Sequence, residues 1–552
     1  MQPDLPEAYY LDNVTTLFEH VESLYADILE QQQLEFLHRF AALPENAKKL
    51  YIRLLNRNHQ LFRLSKLNYP EILNINQAIK RLENSSFLQV NPDITYEELI
   101  ALFNKSELLS YHPDHSSLRK LNRTALDTAL LEQPEPCFIK QLIQSDCFLQ
   151  VEQKDSYKLC QMLFFGNLNQ SMTDFVLRDL GLNQYEKYPI DIHNRPYTSS
   201  IEIQQHWLLY EIDCLLDLAD PADTASLQKC FAAIPADIDP ASSIFRKGER
   251  IKYEIARQLE RLQDIPLALE LYQQCNLPPS RERIARILDK QGQVEQTIAH
   301  CQAILEQPWN EEESQFALVF GQRLVQRHKL EDQPLFANSP VVKPEMLKLE
   351  LEQQDRVELA VVDYFLAEDT GNQCFYLENS LFNGVLGLLI WDVVFAPVAG
   401  AFYNPFQYRP ADFYAFDFLQ KRTTQIENSW RSISCNEDIW HQVFHCWQTK
   451  FGCMNPLVNW QALDLEIIEL ALQRIAYPHW MKIFERILLD LRNNRAGFPD
   501  LVLFPANGGY QLVEVKGPGD SLQKNQQRWM QYFSEHKVPH CVAWVQWQID
   551  DD

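Results

Sequence analysis

The run from Gly497-Phe498-Pro499-Asp500 to Val513-Glu514-Val515-Lys516 constrains the fold of this chain more than any other stretch. Pro499-Asp500-Leu501-Val502-Leu503-Phe504 is rich in residues that suit a pleated strand. Pro505-Ala506-Asn507-Gly508-Gly509 reads as a turn, because Asn-Gly and Gly-Gly accept positive φ without steric cost. Gln511 to Lys516 reads as a second strand. Side chains alternate between the faces of a strand, so Glu514 and Lys516 project together while Val513 and Val515 point into a core. An antiparallel hairpin of this length brings Asp500 beside Glu514. Two carboxylates and an amine then share one edge of a small sheet, a set that suits a divalent metal with a lysine beside it.

Such a hairpin needs a domain around it, and a chain of 552 residues is too long for one core. Roughly two to four domains are expected. A hydrophobic content of 46% and an aromatic content of 12% exclude a disordered chain. Only fifteen glycines point to helices and short connections. The net charge of −25 argues against nucleic acid as a partner. Phosphate binding depends on local basic patches, however, and not on the sum. Twelve cysteines without a C-x-x-C pair indicate a reducing compartment, with neither a disulfide framework nor a zinc ribbon. The start, Met1-Gln2-Pro3-Asp4, is unlike a signal peptide, and no apolar run approaches the ~20 residues of a membrane span. A cytoplasmic chain with no membrane partner is expected.

From Tyr9 to about Tyr69 the pattern is helical, with Leu17, Val21, Leu24 and Tyr25 on one face. Between Asn46 and Pro70 the chain carries Lys48, Lys49, Arg53, Arg57, Arg63 and Lys66 and no acidic residue. Two readings stand: a solvated helix face, or a phosphate-contacting surface. Short helical signals from Phe87 to Leu131 hold a second basic cluster, Arg119, Lys120 and Arg123. Thr173 or Asp174 is placed to cap a short helix stopping at Gly181. Ala256-Arg257-Gln258-Leu259 aligns without gaps to Ala285-Arg286-Ile287-Leu288, with breaks near Asp264 and Gly292. Helix pairs repeating at ~30 residues mark a tetratricopeptide-like stack. Arg281, Arg283 and Arg286 form a basic ridge on it or salt bridges to Glu282 and Asp289.

A polar, proline-containing linker over Asp332–Lys343 precedes a helix over Glu358–Glu368. Glu378 then opens an apolar run, Leu381–Phe395, read as one central helix with Glu378 in its first turn. His441 and His445 are four apart on a helix, but the glutamate of H-E-x-x-H is missing, so they are expected on a packed helix face rather than on zinc. A helix over His479–Asn494 leads into the hairpin. Asp520 is placed to cap a helix over Ser521–His536 that buries Leu522, Gln526, Trp529, Met530 and Phe533. Cys541–Val545 closes as a strand. The order helix, strand, strand, helix, strand predicts a small mixed sheet flanked by helices.

A strand-borne Asp followed by Glu-x-Lys one hairpin later is the pattern of the PD-(D/E)xK nuclease superfamily. The longer string, with Gly517-Pro518, Asp520, Leu522, Gln526 and Trp529, closely resembles the VRR-NUC domain of the Fanconi-associated nuclease family, which cuts DNA flaps and crosslinked DNA during repair. Glu378 followed by Leu386-Gly387-Leu388-Leu389-Ile390-Trp391-Asp392 is similar to that family's upstream catalytic glutamate and the helix after it. Lys49-Leu50-Tyr51-Ile52-Arg53-Leu54 with Lys66-Leu67-Asn68-Tyr69 resembles its N-terminal DNA-binding segment, and the region after Phe87 its SAP-type module.

The resemblance implies a multidomain, mainly α protein with a C-terminal α/β nuclease domain. Residues 1–85 would form a helical N-terminal domain, 86–185 a SAP-like region, 186–340 the tetratricopeptide-like repeats and 341–552 the VRR-NUC domain. It implies a structure-specific 5′-flap endonuclease and 5′-to-3′ exonuclease of DNA repair, with interstrand crosslinks as the lesion and a 5′-phosphate and a 3′-hydroxyl as products. The alternatives are a junction resolvase of the same superfamily and a non-catalytic scaffold. One or two Mg²⁺ or Mn²⁺ ions would be held by Glu378, Asp500, Glu514 and the Val515 carbonyl, with Lys516 as the fourth catalytic residue. DNA would be contacted by Arg53, Arg57, Arg63, Lys66, Arg119 and Lys120. Arg283, Arg492, Arg495 and Lys524 fall near the places of a basic pocket that some members use for the 5′-phosphate, although the lysine expected at Asn525 is displaced to Lys524. Eukaryotic members carry a ubiquitin-binding zinc finger and nothing like it precedes Tyr9, so a bacterial, nucleoid-associated homologue is expected. The resemblance leaves room for a homodimer on DNA.

Overall fold

Apolar residues at three-to-four spacing build the helices that open the chain. The computed structural model describes residues 8–548 apart from 58, 113–114, 171, 173–174, 176–180, 182, 219, 221, 331–333, 337–343 and 353. The chain divides into two units, residues 1–182 and 183–552. In the first, the helices Tyr9–Tyr25, Gln31–Ala41 and Glu45–Leu55 bury Leu17, Val21, Leu24 and Tyr25 as the spacing predicts. Phe18 meets Phe36 and Phe40 edge-on, with centroids 5.4 and 4.8 Å away. The helical pattern then stops short of Tyr69. Strand β1 (Leu61–Arg63) joins β2 (Leu88–Val90) and the central β3 (Phe148–Val151) in an antiparallel sheet. Between β2 and β3 run short helices around Leu99, Phe103, Leu126, Phe138 and Leu142. Two of them start with capping boxes, Thr95 with Glu98 and Asn104 with Glu107. The helix cap expected at Thr173 or Asp174 lies outside the described residues.

In the second unit the repeat appears as helix pairs, Phe245–Arg261 with Ile265–Gln273 and Ser280–Lys290 with Val294–Glu306. Ala256 and Ala285 are both fully buried. Gln263 (φ +65°) and Gly292 (φ +73°), separated by the same spacing, turn the chain through the left-handed region after each first helix. The arginines of this stack form ion pairs and not a free basic ridge. Arg281 binds Glu313, Arg283 binds Glu260, and Arg286 binds Glu282 at 2.8 Å. Of the linker expected over Asp332–Lys343, the described part is the turn Pro334–Phe336, whose Phe336 is buried.

The mixed sheet has five strands where the sequence pattern predicts three. Its order is β4 (Glu345–Leu351), β8 (His540–Trp547), β7 (Gln511–Lys516), β6 (Leu501–Phe504) and β5 (Gln373–Tyr376). β5, β6 and β7 are antiparallel neighbours, while β7–β8 and β8–β4 are parallel. Period-two alternation assigns the faces. Leu501, Leu503, Val513 and Val515 pack on Val361 and Phe365 of the helix Val357–Glu368. Val502, Phe504 and Leu512 belong to the larger core of Trp480, Ile483, Phe484, Trp529 and Phe533. The helices Tyr477–Leu489 and Lys524–Glu535 bring those aromatics in. The central apolar run is two helices, Ser380–Leu389 and Trp391–Val394, and the first is buried on nearly every side.

Gly384 and Gly387 let that buried helix approach its neighbours. A Cβ on Gly387 would stand 2.8 Å from both the Leu457 Cβ and the Val458 Cγ2, atoms near the main chain, whereas at Gly384 it would meet only the end of the Leu463 side chain. Gly387→Ala is therefore expected to destabilise the protein by about 1–3 kcal/mol, and Gly384→Ala by less, in urea unfolding followed by tryptophan fluorescence.

Candidate active site

The register Leu501↔Val513 places Asp500 across from Glu514 at the end of the β6–β7 ladder. The same backbone position receives the other side of the site. The Asp500 carbonyl accepts the amides of Leu377 (3.1 Å) and Glu378 (3.0 Å), just past the β5–β6 pair Tyr376↔Leu501. Glu378 is thereby set beside Asp500 from far upstream. It lies outside the first turn of the apolar helix, which begins at Ser380 behind Asn379. Glu378 has φ +43°, a conformation that non-glycine residues adopt rarely and at a cost. Four contacts from two asparagines hold the turn. Asn379 Nδ2 donates to Glu378 Oε1 (2.8 Å), and its Oδ1 accepts the Phe498 amide (3.3 Å). Asn383 Nδ2 donates to the carbonyls of Asn379 (2.6 Å) and Arg495 (2.7 Å), tying this turn to the loop that leads into Asp500.

Glu514 is fully buried. Its Oε1 accepts Lys516 Nζ (2.7 Å) and Gln526 Nε2 (2.5 Å), while its Oε2 is buried without a partner. The Glu514–Lys516 contact is therefore a buried pair and not the cross-strand surface ion pair that the motif alone also allows. Asp500 Oδ2 accepts the Val515 amide at 2.8 Å. Burial pushes the Asp500 carboxyl up to about 6, against the Val515 amide and the Lys516 charge, which lower it. Burial first and the nearby Asp500 second push Glu514 up to about 8, with Lys516 opposing. Glu378 raises both further.

Buried carboxylates that repel one another and leave an oxygen unsatisfied call for a cation. Among the described residues no three His, Cys, Asp or Glu side chains close into a ready-made cage. The free Glu514 Oε2, the Asp500 carboxylate and the adjacent Val515 carbonyl nevertheless form a hard-oxygen donor set, which fits Mg²⁺ or Mn²⁺ better than zinc. His441 and His445 are exposed on the helix Asn436–Lys450, which buries Ile439, Val443 and Cys446 instead; the packed face expected for them belongs to those residues.

Gln526 is a site residue that the sequence pattern places only on a buried helix face. It completes the capping box of its helix by accepting the Gln523 amide (2.9 Å), and its amide nitrogen reaches Glu514. The signal for it is a glutamine three residues after the cap. Asp520 does not cap this helix; it closes the preceding turn by accepting the Gly517 amide at 3.0 Å.

The residues expected to contact DNA separate by their surroundings. In the first unit Arg57, Arg119, Lys120 and Lys66 are exposed, and Arg57 and Lys66 line one concave surface with His59 and Tyr69. Lys66 also reaches Glu107 at 2.7 Å. Arg53 stacks on Tyr10 (4.0 Å) and pairs with Glu71 (2.7 Å). Arg63 lines the same concave surface but is largely buried: its Nε and Nη1 pair with Asp146 and Glu107, each 3.0 Å away, and its guanidinium packs on Phe103, so its charge is already compensated. In the second unit Arg283 is held by Glu260, which takes it out of the free basic surface as well. Lys524 is exposed at the start of its helix. Arg492 and Arg495 converge on the Tyr414 ring at 5.8 and 5.1 Å, joined by Arg409 at 4.7 Å, for which the sequence carries no signal.

The chain is similar to known proteins along its whole length. The family models described as VRR-NUC domain and as FAN1, HTH domain match residues 436–547 and 8–89. The chain is 32% identical over 561 residues to a Fanconi-associated nuclease 1 homolog of Pseudomonas aeruginosa, covering 100% of this chain and 98% of that one. Its fold is similar to paFAN1 bound to 2nt 5′flap DNA with gap, at a TM-score of 0.83 and 31% identity over the whole of both chains. A second paFAN1 structure, with 1nt 5′flap DNA, gives a TM-score of 0.81 and 30% identity over 99% of this chain and 100% of that one.

The raised carboxyls make a pH prediction for metal-free protein. The folded state binds more protons than the unfolded state between the ordinary carboxylate range and the folded values of about 6 and about 8. Stability contributed by the protonated acids is thus lost as pH rises through that window. The melting temperature of metal-free wild type is expected to fall with pH more steeply than that of Glu514→Gln, and divalent metal is expected to restore it more at high pH. Equal slopes for the two proteins would show that Glu514 is not held protonated.

Proposed function

Because the chain belongs to the Fanconi-associated nuclease family, we propose that the site at Asp500 hydrolyses DNA phosphodiesters at 5′ flaps, by endonucleolytic and 5′-to-3′ exonucleolytic cutting during crosslink repair. Family membership makes the chain a metal-dependent, structure-specific DNA nuclease. The observation that carries the catalytic assignment is the meeting of Glu378, Asp500, Glu514 and Lys516 around one strand end, with one buried carboxylate oxygen left free.

Asp500, Glu514 and the Val515 carbonyl would hold one Mg²⁺ or Mn²⁺, and Glu378 a second, directly or through water. Bound divalent ions supply Lewis-acid stabilisation of the phosphate charge and a lowered pKa for the attacking water. The protein's own groups do the rest. Gln526 and Lys516 engage Oε1 of Glu514, which leaves Oε2 to the site. The Val515 amide orients the Asp500 carboxylate. Lys516, a compact charge with three donors, orients the water or offsets charge on the phosphate. The water oxygen bonds to phosphorus, the bond to the 3′ oxygen breaks, and that oxygen takes a proton. The products are a 5′-phosphate and a 3′-hydroxyl.

DNA delivery is assigned to the exposed cations. Arg53, Arg57, Lys66, Arg119 and Lys120 of the first unit, and Lys524 of the second, would each grip phosphates without reading bases. Arg409, Arg492 and Arg495 would receive a 5′-terminal phosphate, a role supported by their convergence without a carboxylate partner among the described residues. The first unit would carry the helical and SAP-like DNA-binding parts. The helix pairs of the second would act as a tetratricopeptide-like spacer.

Asp500→Ala and Glu514→Ala are expected to abolish divalent-metal-dependent cutting of a 5′-flap duplex, read on gels with end-labelled flap and four-way-junction DNA. Lys516→Ala should lower kcat by about 10²–10⁴-fold with KM little changed. Cutting by Asp500→Ala at the wild-type rate rules the assignment out, and a preference for the four-way junction favours a resolvase. Arg57→Ala with Lys66→Ala should weaken flap binding for every sequence and flatten log K against log salt by roughly 0.9 for each phosphate no longer neutralised.

A further inference from the structure

Phe416 has no part in the metal site or in the grip on phosphates. Its ring is 74% exposed, while Phe413 and Phe418 on either side are 1% exposed. A loose loop does not account for that exposure. Arg422, fully buried, clamps Asp412 with two bonds of 2.7 and 2.9 Å, the Ala415 amide closes on the Asp412 carbonyl at 2.8 Å, and Asp417 pairs with Arg246 at 3.2 Å. The backbone is built to turn one aromatic ring outward.

A solitary exposed phenylalanine is ordinary. This one lies two residues from Tyr414, around which Arg409, Arg492 and Arg495 gather within 6 Å without a carboxylate partner among the described residues. Several other arginines of the same unit, Arg246, Arg281, Arg283, Arg422 and Arg486, are instead ion-paired. In a chain of net charge −25, guanidinium groups gathered two residues along the chain from an open ring match one ligand chemistry, an unpaired nucleotide with its phosphates. The cluster also adjoins the reacting end of the sheet, because the Arg495 carbonyl shares the Asn383 side chain with Asn379, whose own side chain holds Glu378.

We propose that Phe416 stacks on the first unpaired base of the 5′ strand, while the arginines around Tyr414 take the phosphates flanking it. The inference rests on the flap-nuclease reading and adds a subsite to it. A base paired inside a duplex has both faces covered by its neighbours and cannot use the ring, so Phe416 selects an unpaired end. Every base offers a π face, so the selection is blind to sequence.

A cycle between the ring and the base tests this, with full-length wild type, Phe416→Ala and Phe416→Tyr. The substrates are flap duplexes whose first unpaired nucleotide is either normal or abasic. Wild type is expected to bind and cut the abasic flap roughly 5- to 100-fold less well than the normal one. Phe416→Ala should show that loss on the normal flap already and no further loss on the abasic one, with an unchanged melting temperature, and Phe416→Tyr should behave as wild type. Equal sensitivity of wild type and Phe416→Ala to the missing base overturns the subsite and leaves the nuclease reading standing. Failure of wild type to engage either flap overturns both.

Discussion

Asp500 is held at both ends, and the rest of the site depends on that double anchorage. Its carbonyl receives the Leu377 and Glu378 amides from the end of β5, and its carboxylate receives the Val515 amide from β7. One residue therefore joins three strands and sets the distance between Glu378 and Glu514, which are far apart in sequence. Loss of this junction would leave the strands intact and still disperse the acids. The strained φ of Glu378 is in keeping with this: the turn is fixed by its surroundings, the asparagines above all, rather than by the local preference of the residue.

The second constraint is electrostatic. A fully buried glutamate beside another carboxylate is costly, and Lys516 compensates only one of its oxygens. The fold accepts this because the acids lie at the end of the β6–β7 ladder, past the apolar residues that both faces of the sheet bury. Leu512 enters the large core two residues before Glu514 on the same face, and the apolar row ends where the charged row begins. The same logic applies at a larger scale. Arg281, Arg283 and Arg286 of the helical repeats are neutralised by nearby glutamates, and Arg63 is buried between two acids. Arg57, Arg119, Lys120 and Lys524 are by contrast exposed, and Arg409, Arg492 and Arg495 gather on one ring.

Local periodicity carried much of the fold into the sequence. The β6–β7 hairpin, the helix over 357–368 and the helix pairs around Ala256 and Ala285 were all legible, since each is fixed by residues close together in the chain. The strands β1, β2, β3 and β5 were not, because three or four residues carry too little alternation to separate them from loops. β4 alternates clearly as Glu345-Met346-Leu347-Lys348-Leu349-Glu350-Leu351, yet its place beside β8 is a parallel pairing that no local signal gives. The motif named Asp500, Glu514 and Lys516. The apolar run put Glu378 in the first turn of a helix that begins only at Ser380, and no local pattern could reveal that Gln526 bonds Glu514 or that Arg409 joins Arg492 and Arg495 on Tyr414. Those are meetings of distant segments, decided by packing and not by spacing.

Anomalous diffraction from crystals soaked in Mn²⁺ tests the central claim most directly. The expected result is a peak bounded by the carboxylates of Asp500 and Glu514 and the Val515 carbonyl, at the roughly 2.0–2.2 Å typical of small divalent ions and hard oxygens, with Glu514 Oε2 turned toward it. A peak elsewhere with this site empty, or Glu514 still bonded only to Lys516 and Gln526 at saturating metal, would contradict the assignment of these residues as the metal-holding centre.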